Sequence, residues 1–315
     1  MEEEQYTRRS ERPRKRKMRK GRVFVTFLLL IAIVIASYSV MQYRSGFKLA
    51  NNVALPKEAF AADKVNGSIE NYLILGVDTR GEEKSRTDTI MLLSWNKDNN
   101  EVKLVSFMRD IYAAIPGYKS YKLNTAYYLD GVQLLKDTLT NMFGIPIHHY
   151  ALVDFQNFES LVDIIAPSGV EMDVEKDMSE KIDVSLKQGV HNLSGKELLG
   201  YARFRQDAEG DFGRVARQQK VIEALKNEVL SSGNVVNLPK FVGAAQGYVT
   251  TDLSSSQEVQ QVLKMLMKGK VSIDKATIPI ENSYTFQNFS HAGSAIVLDE
   301  KMNRQFLSKF LGMEL

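Results

Sequence analysis

The chain has 315 residues, 44% of them hydrophobic, enough to bury one large core or two modest ones. It contains no cysteine, which excludes a disulfide framework, a thiolate metal site and a cysteine nucleophile. The formal net charge of +3 hides an asymmetry: residues 1–22 carry ten Lys/Arg against Glu2, Glu3, Glu4 and Glu11, and the remainder holds 31 basic against 34 acidic residues. The large portion is therefore not a basic body of the nucleic-acid-binding type.

Residues 12–22 form a basic block, and the 21 residues 23–43 are uncharged. As a helix that stretch would span about 30 Å, the thickness of a bilayer core. The positive flank precedes it, so residues 1–22 are expected in the cytoplasm and the rest outside the cell. The apolar run is long for a cleaved signal peptide and no clear Ala-x-Ala site follows it, so an uncleaved single-pass anchor is expected. Residues 44–66 read as a polar, alanine-rich extracellular connector that Pro56 interrupts, and 67–315 as one folded domain.

That domain opens with Tyr72-Leu-Ile-Leu-Gly-Val77, a buried-strand pattern ending at Asp78. A polar loop leads to Asp88 and a second strand, 89–95. Lys97-Asp-Asn-Asn100 turns the chain into a third strand, 101–107, with Arg109-Asp110 at its exit. A turn at Ile115-Pro-Gly117 precedes a helix over 131–142, then a strand over 149–153 and a helix over 155–165. Pro167-Ser-Gly169 turns into a strand at 170–174, and Ser194-Gly-Lys-Glu197 has the spacing of a capping box before a short helix over 197–202. Further on, the pattern predicts a helix near 256–267, a strand near 276–280 and a closing helix over 299–311. Helices and strands alternating around one sheet indicate an α/β domain.

The stretch from Arg203 to Gln219 concentrates four arginines, three acids and two glycines before an amphipathic helix with the stripe Ile222, Leu225, Val229. Projected backwards, the stripe passes through Gln218 and Arg214, so two polar residues stand where core contacts belong. Such a local break in an otherwise consistent pattern marks a site. Arg203 and Arg205, two apart, leave an extended segment on one side. Arginine suits bidentate phosphate contact, and Asp211 and Gly213 supply a cap and a flexible entry at the helix start, where free N–H groups favour an anion. Asp78 and Asp88 flank strands and can share one sheet edge. Two carboxylates beside arginines suit a hard cation shared with phosphate, Mg²⁺ with Mn²⁺ as the alternative. Gly81 and Lys84 are separated by two glutamates, so 76–85 is not a Walker loop.

Taken in order, Gly76-Val-Asp-Thr-Arg80, Ser85-Arg-Thr-Asp-Thr-Ile-Met91, Met108-Arg-Asp110, Ile115-Pro-Gly117, Lys122-Leu-Asn-Thr-Ala-Tyr127, Tyr201-Ala-Arg-Phe-Arg205 and Gly210-Asp-Phe-Gly-Arg-Val-Ala-Arg-Gln-Gln219 resemble the LytR-CpsA-Psr family of Gram-positive bacteria, in detail its MsrR-type branch. The resemblance implies a central mixed β-sheet flanked by helices behind the membrane anchor. It also implies a phosphotransferase that moves an anionic glycopolymer, of wall teichoic acid or capsule type, from a polyprenyl-pyrophosphate carrier to peptidoglycan. By the same resemblance Asp78 and Asp88 hold Mg²⁺ and, with Arg109, are catalytic. Arg86, Arg109, Arg203, Arg205, Arg214 and Gln218 bind the pyrophosphate, while Arg80, Asp110, Lys122 and Arg217 match motif positions of less defined role. The family's usual Ile-Pro-Arg-Asp is Phe-Met-Arg-Asp here. The lipid tail is expected in an apolar groove that the helices over 131–142 and 155–165 could line. The partners implied are the lipid-linked polymer, the peptidoglycan acceptor and membrane lipid, with no nucleic acid. A membrane-bound regulator or transcriptional attenuator of envelope genes, and a polyprenyl-pyrophosphate hydrolase without transfer, are the alternatives.

Overall fold

Apolar residues alternate along Ile69–Val77 and make this strand, β1, the axis of a sheet whose two faces are both covered. Leu73, Leu75 and Val77 enter the main core, while Ile74 and Gly76 face the opposite side. The structure, a computed structural model, describes residues 20–50, 54–79, 85–231, 235–254 and 272–315, together with 257, 261 and 264. Residue Arg80 and most of the helix expected near 256–267 lie outside the described residues.

β2 (Thr87–Asn96) and β3 (Val102–Phe107) follow β1 as an antiparallel meander. Their turn is closed by Trp95, whose indole Nε1–H donates to Asn100 Oδ1 at 2.9 Å. The short strands β4 (Tyr112–Ala113) and β5 (Tyr121–Lys122) pair separately, and α2 (Leu123–Phe143) follows. This helix starts earlier than its apolar periodicity indicates and breaks at Asp130 and Gly131, where Gly131 has φ +65°. β6 (His149–Asp154) runs parallel to β1 and leads into α3 (Phe155–Ile165), capped by Asp154, which accepts from Gln156 N at 2.9 Å.

A second hairpin, β7 (Val170–Val174) with β8 (Gly189–Leu193), packs with α4 (Gly195–Arg203) and α5 (Gly210–Leu230) into a smaller cluster. The capping box forms as expected: Ser194 Oγ accepts from Glu197 N, and Glu197 Oε2 accepts from Ser194 N at 3.0 Å. α6 (Leu238–Tyr248), β9 (Val249–Thr251), β10 (Ile273–Ile278), the hairpin β11 (Tyr284–Phe289) and β12 (Gly293–Leu298), and α7 (Glu300–Leu311) complete the chain. Strand order in the main sheet is β10-β3-β2-β1-β6-β9, with parallel and antiparallel neighbours, so the fold is α/β with a central mixed sheet. The main core lies against α2 and α7 on one face, and the residues of α3, α4 and α5 cover the other.

The chain divides into two compact units, Met1–Met41 and Gln42–Leu315. A single helix, α1 (Lys20–Leu49), runs through both, and its stretch Phe24–Leu49 is long and apolar enough to cross a membrane. The described residues of the expected connector, 44–50 and 54–66, make contacts along their length. Within the second unit the end of α1 packs on α6 through backbone contact: a Cβ on Gly46 would lie 1.9 Å from Lys240 O, and one on Gly243 2.1 Å from Tyr43 O. Tyr248 OH donates to Leu49 O at 3.3 Å. Beyond it, Ala54 N donates to Gly247 O at 2.9 Å, Val132 N to Glu58 Oε2 at 2.6 Å and Ile147 N to Asp63 Oδ2 at 2.7 Å. Side-chain and backbone hydrogen bonds, not periodic apolar burial, order this segment, which is why it carries no pattern.

Candidate active site

β1 and β6 are parallel, and β3, two antiparallel steps away, points the same way, so their carboxyl ends share one edge of the sheet. β2 runs against them and begins at that edge. The register pairs Val77 with Thr87, which sets Asp78, just past β1, and Asp88, at the start of β2, at the same end although ten residues separate them. Arg109 arrives from just beyond β3 and ion-pairs with Asp88 Oδ1. Its second Nη lies 3.7 Å from Asp211 in the first turn of α5.

α5 presents the residues that broke the apolar stripe. Arg214 is 4% exposed and Gln218 8% exposed, so the helix carries both inward as the spacing requires. Arg214 Nη2 contacts Asp211 at 2.9 Å. Burial holds the Arg214 guanidinium below its ordinary arginine value; Asp211 and Asp88 oppose that shift, and the like charges of Arg109 and Arg205 add to it. At Arg109 burial acts in the same direction, but Asp88, Asp211 and Asp110 outweigh it and raise its value. The Nε atoms of Arg109 and Arg214 are buried with no hydrogen-bond partner among the described residues. Arg217 Nε, outside this cluster, is unpartnered in the same way.

Arg203 and Arg205 come to the same pocket, but not from one extended segment. Arg203 closes α4, its Nη2 3.4 Å from Asp78 Oδ2 and its guanidinium over the Phe155 ring at 5.2 Å, while Arg205 is exposed in the loop that follows. The α5 entry also differs. Glu209 stands at the N-cap without a side-chain cap bond, Asp207 in the turn before it accepts from Gly210 N at 3.0 Å, and Gly210 takes the left-handed φ of +54°. Asp211 is freed from capping and bridges two arginines, while Gly213 lies inside the helix, where a Cβ would meet Glu209 and Arg217.

The resulting pocket of about 90 Å³ is lined by Asp88, Arg109, Arg203, Arg205, Arg214 and Gln218, with Phe155, Glu180, Lys181 and Gln206 completing the wall. Glu180, Lys181 and Gln206 escaped sequence reasoning because they sit in loops without periodicity. A second cavity, about 130 Å³ and almost wholly apolar, shares Phe155, Arg203 and Gln218 with the first and continues between the sheet and α3, α4 and α5. Phe155 and Phe158 of α3 line it. The helix over 131–142 does not: Val132, Leu135 and Leu139 are spent in the core on the other face of the sheet.

Among the described residues, five expected ones do not line this pocket: Asp78, which meets it through Arg203, and Arg86, Asp110, Lys122 and Arg217. Arg86 stands over the Tyr128 ring at 5.7 Å, and Lys122 pairs with Asp110 at 3.0 Å next to Arg109. Arg217 is turned into a separate network, contacting Glu175 at 3.1 Å, Asp207 at 3.0 Å and Phe204 O at 3.0 Å. No group of three or more His, Cys, Asp or Glu converges as a cation cage among the described residues. Asp78 and Asp88 stand at one sheet edge and each meets an arginine, Asp78 with Arg203 and Asp88 with Arg109.

Fold and site together define an α/β domain whose sheet edge carries a cationic pocket opening beside an apolar cavity. The chain belongs to the LytR_cpsA_psr family, whose model matches residues 37–306. It is 44% identical over 279 residues to the "Regulatory protein MsrR" of Staphylococcus aureus strain COL, covering 87% of this chain and 84% of that one. It is 29% identical over 267 residues to the "Polyisoprenyl-teichoic acid--peptidoglycan teichoic acid transferase TagU" of Bacillus anthracis strain CDC 684, covering 81% of this chain and 87% of that one. The crystal structure of B. subtilis TagV superposes with a TM-score of 0.66 at 26% identity, over 79% of this chain and 99% of that chain.

Proposed function

We propose that the chain transfers an anionic glycopolymer from a polyprenyl-pyrophosphate carrier to peptidoglycan, acting as a phosphotransferase on the outer side of the cell membrane. One observation carries this reading: the arginine-lined pocket and the apolar cavity share a wall, at Phe155, Arg203 and Gln218, which suits a ligand with a diphosphate head and a hydrocarbon tail. The acceptor and donor named for the B. anthracis relative support it.

In this reading Arg109, Arg203, Arg205, Arg214 and Gln218 hold the diphosphate. An acceptor hydroxyl attacks the sugar-side phosphorus, the new P–O bond forms a phosphodiester, the bridging P–O bond breaks, and polyprenyl phosphate leaves. Phosphoryl transfer of this kind is accelerated mainly by positioning and by neutralising charge as it spreads over the oxygens. Buried guanidinium groups do both, because the charge on Arg214 acts in a desolvated site where it is worth more than in water. The hydroxyl proton passes to a carboxylate, with Asp88 and Asp110 the candidates. Asp78 and Asp88 would hold Mg²⁺, which when bound adds positive charge beside the diphosphate. Basic residues 1–22 keep the N-terminus inside and the catalytic unit outside.

The test is reconstitution. Full-length protein in detergent, with Mg²⁺, lipid-linked polymer and peptidoglycan, releases one polyprenyl phosphate per polymer attached, and Arg214→Ala abolishes both. Equal release without acceptor would make the protein a hydrolase. The name of the S. aureus relative favours a regulatory reading instead; restoration of a deletion phenotype by residues 1–43 alone would establish that reading over the transferase.

A further inference from the structure

The loop of residues 175–188, between β7 and β8, forms one side of the charged pocket, and its Glu180 and Lys181 line it. Lys181 has φ +59° and Asp183 φ +58°. For a non-glycine residue this left-handed backbone is unfavourable, and it persists only where the surroundings over-determine it. Here they do. Ile182, next to Lys181, is 3% exposed in the smaller core, with Met178 and Leu186 beside it. Met178 and Leu186 exchange backbone hydrogen bonds at 2.9 and 2.8 Å. On α4 the absence of a side chain at Gly200 admits the loop: a Cβ there would lie 2.3 Å from Val184 Cγ2.

Lys181 itself is exposed, so the strained backbone buries its neighbour Ile182 and not its own side chain. The same backbone places Lys181 on the wall that Arg109, Arg203, Arg205 and Arg214 share. Strained backbone and gathered like charge are both unfavourable in the free protein, and an anion in the pocket offsets the second. We propose that Lys181 is a further anion-binding residue, a rim cation that engages diphosphate oxygens, and that the loop 175–188 is a fixed jaw holding it there. Glu180, beside it, repels the same anion. This rests on the pyrophosphate reading of the pocket.

The test uses the full-length chain in detergent micelles, titrated calorimetrically with inorganic pyrophosphate in Mg²⁺, with thermal unfolding measured in parallel. Lys181→Gly should raise the unfolding temperature, because glycine adopts the left-handed region freely, and yet weaken pyrophosphate binding about fivefold, the scale of one exposed charged contact. Lys181→Arg should bind like the parent, and Glu180→Gln, which leaves the backbone alone, should bind more tightly. A purely structural residue would move only the unfolding temperature. If the parent binds, Arg214→Ala does not, and Lys181→Gly or Glu180→Gln leaves affinity unchanged, the rim assignment is overturned while the pocket stands. If parent and Arg214→Ala behave alike, the pocket reading fails and the rim assignment fails with it.

Discussion

Arg214 and Arg217 lie one turn apart on α5, both buried, yet they should respond to substitution in opposite ways. Arg217 is 1% exposed and holds Glu175, the 7%-exposed carboxylate of Asp207 and the Phe204 carbonyl, with its guanidinium stacked 5.2 Å from the Phe204 ring. Arg217→Met takes from Asp207 one of its two cations, leaving Lys176 Nζ at 3.2 Å, and leaves the Phe204 carbonyl without its side-chain donor. A buried polar group left unsatisfied costs about 1–3 kcal/mol, less than a fully stranded charge. At about 2–4 °C per kcal/mol for a domain of this size, the unfolding temperature should fall by roughly 2–12 °C. Arg214→Met removes a guanidinium that burial and neighbouring arginines already disfavour, and it leaves Asp211 its contact with Arg109. Its stability should change by less than about 1 kcal/mol, since replacing a buried charge by a hydrophobe of similar length is often near neutral. Binding of inorganic pyrophosphate, by contrast, should weaken about 10- to 100-fold, the value of a lost charge-assisted hydrogen bond. Urea unfolding and titration calorimetry on the same two preparations measure both quantities. If Arg214→Met unfolds as readily as Arg217→Met, the division between a structural and a ligand-facing arginine is wrong.

Three further outcomes are expected. His149 lies between Asp252, at 2.8 Å, and Glu70, at 3.9 Å. Burial works against its charge, but those carboxylates win and raise it to about 9, while the same His149 contact takes Glu70 down to about 2. A raised histidine stabilises fully below its ordinary value and loses that contribution as pH climbs towards 9. About 2–3 kcal/mol should therefore fade between pH 6.5 and 9 in the parent and be absent from His149→Gln, as followed by denaturant midpoints. The Glu70 contribution fades on the acid side, as pH falls from 4.5 towards 2, and Glu70→Gln should flatten that limb. Gly243→Val places side-chain atoms against Tyr43 O, and should cost about 1–3 kcal/mol through overpacking and speed protease cleavage within 50–58, with an unchanged cleavage rate counting against the packing described. Asp78→Asn and Asp88→Asn should each raise the Mg²⁺ concentration needed for half-maximal transfer, and an unaltered Mg²⁺ dependence in both would remove them from the metal site.

Much of this was readable in the chain because each element repeats its signal. β1, β2 and β3 combine apolar runs with the Lys97–Asn100 turn, α4 has Ser194 and Glu197, and α7 has Asp299, which accepts from Met302 N at 2.9 Å. Arg214 and Gln218 were found because they violate a helical stripe. The losses have physical causes too. β11 is exposed along most of its length, so no alternation betrays it. α6 is rich in small residues chosen for close approach to another helix, and small residues carry little hydrophobic periodicity. The inward turn of Arg217 and the pairing of Asp211 with two arginines depend on which way a helix faces after tertiary packing. Lys181 is invisible because only the fold brings its loop to the pocket.

The bare backbone of Gly46, Gly243 and Gly247 has a practical consequence for anyone preparing the second unit without the apolar stretch before it. A soluble version starting at residue 54 strips α6 of its cover and leaves a shallow glycine furrow open to water, inviting self-association. One starting at Gln42 keeps the furrow filled by its own chain, and should run as the better-behaved species on gel filtration.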